Sequence, residues 1–172
     1  MKQSFAALVA VIILAGTVSV SHAQFTSHNV YLGPEIALGR YGTGAAVGGF
    51  AEFPLTNPGT MGPGILALAL RLDYWGYTNG DYTYSFIPIS AMADYHFPLQ
   101  ASQFDPFAGL GLGYDVVNTT YAGTGISSPG YKSGLFLVGQ IGARYFFSPG
   151  FAARAEVGFG DAFLGLGVDF KL

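Results

Sequence analysis

The chain contains no cysteine, which excludes disulfide frameworks, thiolate metal sites and the lipid-modified cysteine that anchors some envelope proteins. Charge is scarce as well: Asp, Glu, Lys and Arg make up 10% of the residues, against roughly a quarter in soluble domains. Such a chain would make a poor water-facing surface. The balance is acidic, ten Asp and Glu against seven Lys and Arg. No basic stripe can therefore follow a phosphate backbone, and nucleic acid is not an expected partner. Past the N-terminus, no uncharged apolar run approaches the ~20 residues that a membrane helix needs.

What the chain has in quantity is glycine, at 26 positions, and aromatic residues, at 16%. Its 172 residues suit one domain. At the start, Lys2, the apolar run from Ala6 to Gly16 and the small-x-small triplet Ser21-His22-Ala23 form an export-signal pattern. The run is too short to span a bilayer. We expect residues 1–23 to be a cleaved signal peptide and 24–172 to be the mature domain. Loss of Lys2 would leave ten acids against six bases.

The mature chain alternates with a period of two, the mark of a strand with two unlike faces. Leu66, Leu68, Leu70, Leu72 and Tyr74 share one parity, and Ala67, Ala69, Arg71 and Asp73 the other. The same division sets Ala108, Leu110, Leu112, Tyr114 and Val116 against Gly109, Gly111, Gly113 and Asp115. It recurs over 87–97, 135–147, 151–159 and 164–172, and less regularly over 30–40 and 45–53. Eight strands of about ten residues with short and long connections use up the mature length, as in an outer-membrane barrel. The expected fold is all-β: a closed eight-stranded antiparallel up-and-down transmembrane β-barrel. With the N-terminus periplasmic, Ser148-Pro149-Gly150 and the longer Leu55–Pro63 become inner turns, while Thr78–Asp81 and Val117–Gly130 become outer loops.

Alternation alone would also fit a soluble barrel, and three features choose between them. Charged residues share their parity with glycine, and small residues suit the crowded lumen of eight strands. Glu35, Glu52, Arg71, Asp73, Asp94, Asp115, Arg144, Arg154, Glu156, Asp169 and Lys171 all take that parity. On the lipid side each Arg or Lys would cost ~2 to 4 kcal/mol near midplane. Finally, Tyr74 and Trp75, Tyr95 and Phe97, and Tyr145 to Phe147 gather near strand ends, as interfacial girdles do. Outer-membrane lipid is the expected environment.

Two segments carry a family likeness. Pro106-Phe107-Ala108-Gly109-Leu110-Gly111-Leu112-Gly113-Tyr114 is similar to a glycine-alternating strand of the small eight-stranded outer-membrane barrels of the OmpA, OmpX and opacity-protein type. The terminal Gly167-Val168-Asp169-Phe170-Lys171-Leu172 resembles their assembly signal, with Leu172 in place of the usual terminal aromatic. The resemblance covers the mature chain. It implies insertion by the barrel-assembly machinery, reading Gly167, Phe170 and Leu172, and a bacterial outer-membrane location. It does not fix a role.

Chemistry is thin. Ser90, Asp94 and His96 share a face, but at roughly 3.3 Å per residue Ser90 and His96 stand about 20 Å apart, beyond proton-transfer reach. His96 reads better as a lumen histidine near Asp94. His28 and His96 are too sparse for a metal site, and Gly42-x-Gly44 and Gly109-x-Gly111-x-Gly113 lack the helix of a phosphate loop. No catalytic residue, cofactor or metal is expected. The informative residues are the inward charges, which must pair or be hydrated. Arg71, Arg144 and Arg154 are the expected hubs of a network with Glu52, Asp73, Asp94, Asp115 and Glu156. The leading reading is a monomeric, non-enzymatic barrel with a structural or surface-interaction role. A narrow solute channel is the alternative, and a lipid-modifying hydrolase using His96 as base a third.

Overall fold

The computed structural model describes residues 25–39, 44–99, 103–124 and 130–172; the expected signal peptide lies outside them. The alternating segments form eight strands: β1 Tyr31–Leu38, β2 Ala45–Pro54, β3 Ile65–Asn79, β4 Tyr82–His96, β5 Phe104–Tyr121, β6 Gly134–Ser148, β7 Phe151–Phe159 and β8 Leu164–Lys171. Each pairs antiparallel with the next, and β8 closes on β1. Closure leaves no barrel edge for hydrocarbon to desolvate.

The barrel is inside-out relative to a soluble protein. Leu135 is 78% exposed and Arg144 0%. Leu110, Leu112, Leu137 and Ile141 also face outward, while Glu35, Glu52, Asp73, Asp94, Arg154 and Asp169 are buried. Only an apolar solvent makes that arrangement favourable. One end of the barrel carries the start of β1 and the end of β8, the 55–64 and 97–103 connections and the Pro149-Gly150 turn. The other carries the connections at 39–44, 80–81, 122–133 and 160–163.

Three expectations require correction. Residues 117–121 belong to β5 rather than to a loop, since Val117 pairs with Phe86 and Tyr121 with Tyr82; Val, Thr and Tyr favour strands, and β4 offers them a partner. The outer loop is thus 122–133, of which 125–129 fall outside the described residues. Between β3 and β4 only Gly80-Asp81 remains as a turn, with Gly80 at φ 59°. Trp75 and Phe146, taken as interfacial, are 4% and 1% exposed and sit in the lumen. Their parity is the inward one, which outweighs their closeness to strand ends.

The long strands also rise beyond the barrel rim. β2 pairs with β3 only as far as Tyr74, and β6 with β5 only as far as Asp115. Beyond those points β3, β4 and β5 continue as a three-stranded sheet through the rows Trp75–Phe86–Val117 and Asn79–Tyr82–Tyr121.

Candidate functional site

The lumen is the place where this chain concentrates its chemistry, and it is filled in three layers. Nearest the start of β1 lie Phe25, Tyr31, Ile65, Ala67, Phe146 and Ala152. At the far mouth lie Trp75, Tyr84 and Phe86 with Ala37, Ala46 and Ala162, and Tyr77 and Tyr131 pack against them. Between the two apolar layers sits the charge layer, threaded by Phe50, Ala69, Met92 and Val138. Water is thereby kept from both sides of the ions, which strengthens every pairing and raises the cost of any unpaired group.

The three arginines meet their carboxylates as follows. Arg71 Nε lies 2.7 Å from Glu35, and its Nη2 contacts Glu156. Arg144 contacts Glu52, donates from Nε to Asp169 at 2.6 Å and approaches Asp105 at 3.4 Å. Arg154 reaches Glu35 at 2.8 Å, Glu156 at 2.6 Å and Asp169 at 3.2 Å. Arg144 and Arg154 are direct cross-strand neighbours, a repulsive placement that the shared Asp169 carboxylate neutralises. The Arg154 guanidinium also lies 3.6 Å from the Phe50 ring centroid, with those of Arg144 and Arg71 at 5.6 and 5.9 Å. One aromatic ring on the polar parity thus lies within reach of three cations.

Of the partners expected for these hubs, Glu52 and Glu156 are engaged. Asp94 instead accepts from Gln140 Nε2 at 2.7 Å, and Gln140 in turn accepts from Arg71 at 3.2 Å. Among the described residues Asp73 lies against Glu35 rather than in a direct ion pair with an arginine, and Asp115 is buried as well. Glu35 and Asp169, read only as inward charges, are the bridging carboxylates. Sequence reasoning missed two acids altogether. Asp105 was hidden by its place as the second residue of β5, beside Pro106. Asp161 belongs to the β7–β8 connection, where an acid reads as solvated, yet it is 2% exposed and accepts from Ser90 Oγ at 2.8 Å.

His96 is held by Glu52 and Asp105 rather than by Asp94. Its Nε2 lies 2.8 Å from Glu52 and its Nδ1 2.9 Å from Asp105. Each ring nitrogen thus faces a buried carboxylate, which fixes the orientation of the ring. Phe25, six positions before the start of β1, stacks on it at 3.7 Å and 4°, and Arg144 lies 5.2 Å over the same Phe25 ring. Ser90 and His96, engaged with different partners, form no nucleophile–base pair. Among the described residues no group of three His, Asp or Glu side chains has the arrangement to hold a metal ion.

At the C-terminus, Gly167 pairs with Glu35 and Phe170 with Leu32 across the closing seam, and the Leu172 amide donates to Val30 at 2.9 Å. Phe170 and Leu172 point outward.

Comparison with known proteins adds the family and the fold. A family model described as outer membrane protein beta-barrel domain matches residues 9–171. No curated protein sequence matches the chain. Among solved structures, the N-terminal β-barrel domain of Pseudomonas aeruginosa OprF is 19% identical with a TM-score of 0.57, over 86% of this chain and 100% of that one. Neisserial surface protein A is 18% identical with a TM-score of 0.54, over 84% and 95%. Ail, the attachment invasion locus protein of Yersinia pestis, solved with the heparin analogue sucrose octasulfate, is 14% identical with a TM-score of 0.54, over 83% and 93%.

Proposed function

The chain belongs to the outer membrane protein beta-barrel domain family, an integral barrel of the bacterial outer membrane, and from that premise we propose that it is a non-enzymatic, non-conducting barrel with a structural or surface-interaction role. One observation carries this reading. Arg144 on β6 contacts Glu52 on β2, and Arg71 on β3 contacts Glu156 on β7. In a ring of eight, β2 and β6, like β3 and β7, stand four places apart. Side chains that touch across the diameter leave no water-filled passage at that level, and opening one would strand buried charges. Planar-bilayer recordings and liposome swelling test this directly: no large steady conductance is expected, and a persistent one would overturn the reading.

The surface-interaction part rests on the sheet that β3, β4 and β5 raise above the rim. Ail binds a polysulfated sugar analogue, a recognition that calls for clustered cations. Here Arg71, Arg144 and Arg154 are spent inside the lumen and Lys171 ends β8. Arg40 and Lys132 are what the outer connections retain. Polyanion binding is therefore not carried over.

We also infer that residues 1–23 are removed on export and that 24–172 act as a monomer. Assembly machinery would read the terminal segment through Gly167, Phe170 and Leu172. A terminal Leu172→Phe variant should insert at least as fast as the parent.

A further inference from the structure

On β3, β4 and β5 the wall that meets lipid changes character abruptly at one height. Cross-strand rows locate the change. The row Leu72–Ile89–Tyr114 is apolar and faces outward, as does Ile87–Val116 above it. The next two outward rows are Gly76–Ser85–Asn118 and Thr78–Thr83–Thr120. No charge and no large apolar side chain occurs in either, and Thr78 and Thr83 are linked hydroxyl to hydroxyl at 3.2 Å. The opposite face of the same three strands carries Trp75, Tyr77, Tyr82, Tyr84 and Phe86, stacked on one another over the lumen.

At about 3.4 Å per residue and a tilt near 40°, the segment from Leu66 to Tyr74 rises roughly 20 Å, close to the apolar band of such barrels, and the four residues to Thr78 add about 10 Å. With the β3–β4 turn outside, that increment matches the depth of the outer leaflet's headgroup layer. A wall meant for lipid phosphate would carry Lys or Arg there; this one carries a flat array of hydroxyl and amide groups without charge. Each hydroxyl keeps acceptor capacity even where Thr78 and Thr83 bond to each other, and an uncharged array of this kind next to a low-dielectric layer suits neutral polyhydroxyl partners.

We propose that the outward face formed by Gly76, Thr78, Thr83, Ser85, Asn118 and Thr120 packs against the neutral sugars of outer-leaflet glycolipid headgroups, continuing the lipid contact of the barrel wall into the saccharide layer. The inference rests on the orientation adopted above, with the β3–β4 turn outside.

Two experiments separate failure of the orientation from failure of the contact. First, Asp81→Cys in the otherwise cysteine-free chain should be labelled on intact cells by a membrane-impermeant maleimide; no labelling would overturn the orientation and the proposal together. Second, hydrogen exchange is compared for the mature protein in phospholipid vesicles alone, with lipid A, and with lipopolysaccharide bearing a complete core and no O-chain. Amides of 76–85 and 117–121 should exchange about fivefold more slowly only with the core sugars present, the scale of one or two net hydrogen bonds. Equal protection by lipid A would mean phosphate contact and sink the proposal, and so would protection of the β5 edge alone in every lipid, which would indicate strand pairing with protein. The T78V/T83V/T120V variant keeps β-branched shape and should lose the core-dependent protection. If that variant does not fold, the lipid A against core comparison on the parent still decides.

Discussion

At the residue scale, the lumen makes sharp demands because its ions are desolvated between two apolar layers. Arg144 is 0% exposed and serves Glu52, Asp105 and Asp169. Replacing it by Ala should destabilise the barrel by about 3 to 5 kcal/mol, the cost of stranding buried charges, read as a lowered urea midpoint for loss of the compact gel band. A Glu52→Gln, Arg144→Met pair should recover part of that loss; no recovery would count against a direct pairing. Phe25 gives a second test. It is 6% exposed and covers His96 and Arg144 at the end where β1 starts and β8 stops. Phe25→Ala should cost about 3 kcal/mol at the core scale, and should speed exchange of the β1 and β4 ends while leaving the far mouth unchanged. These positions differ in how legible they were. The parity of Arg71, Arg144 and Arg154 put them inward from sequence alone. Which carboxylate each would meet was not readable, because pairing across the lumen depends on stagger between strands far apart in the chain.

At the element scale, the seam between β1 and β8 closes the ring, and Gly33 marks it. A Cβ there would collide with the backbone oxygen of Val168, an approach only glycine allows. Gly33→Ala should push β8 away and slow assembly, visible as a smaller folded fraction after refolding into detergent, whereas Gly150→Ala, in the open Pro149-Gly150 turn where nothing lies within 4 Å, should not. The outer connection offers a complementary prediction. Replacing 123–130 with a short linker should leave the heat-modifiable band intact, since the strand rows end at Tyr121. Extending the deletion back to residue 119 removes the partners of Tyr82, Thr83 and Tyr84 and should destabilise the raised sheet, seen as protease cleavage near Gly80. The boundary was misread from composition because Asn, Thr and Gly suggest loop; a strand's reach is set by whether its neighbour continues beside it.

At the scale of the whole molecule, closure and filling together make the barrel a plugged cylinder. Nine of the ten acids of the chain, Glu35, Glu52, Asp73, Asp94, Asp105, Asp115, Glu156, Asp161 and Asp169, are buried in it. Liposomes carrying the protein should show no more swelling in arabinose than empty ones. If Glu52→Ala and Arg144→Ala together open a leak, it should favour cations, as reversal potentials would show, because acids outnumber arginines along the described wall. The architecture could be read from the residues: eight period-two segments, glycine and charge on one parity and leucine on the other, admit little besides a closed barrel in lipid, since each strand's two faces are fixed by local alternation. The tertiary structure alone decided the wiring of the lumen, the burial of Asp161 from a connecting turn, the inward place of Trp75 and the height of the β3–β4–β5 sheet. Those depend on shear, the offset between neighbouring strands, which is set by packing around the whole ring and leaves no trace in the pattern of any single strand.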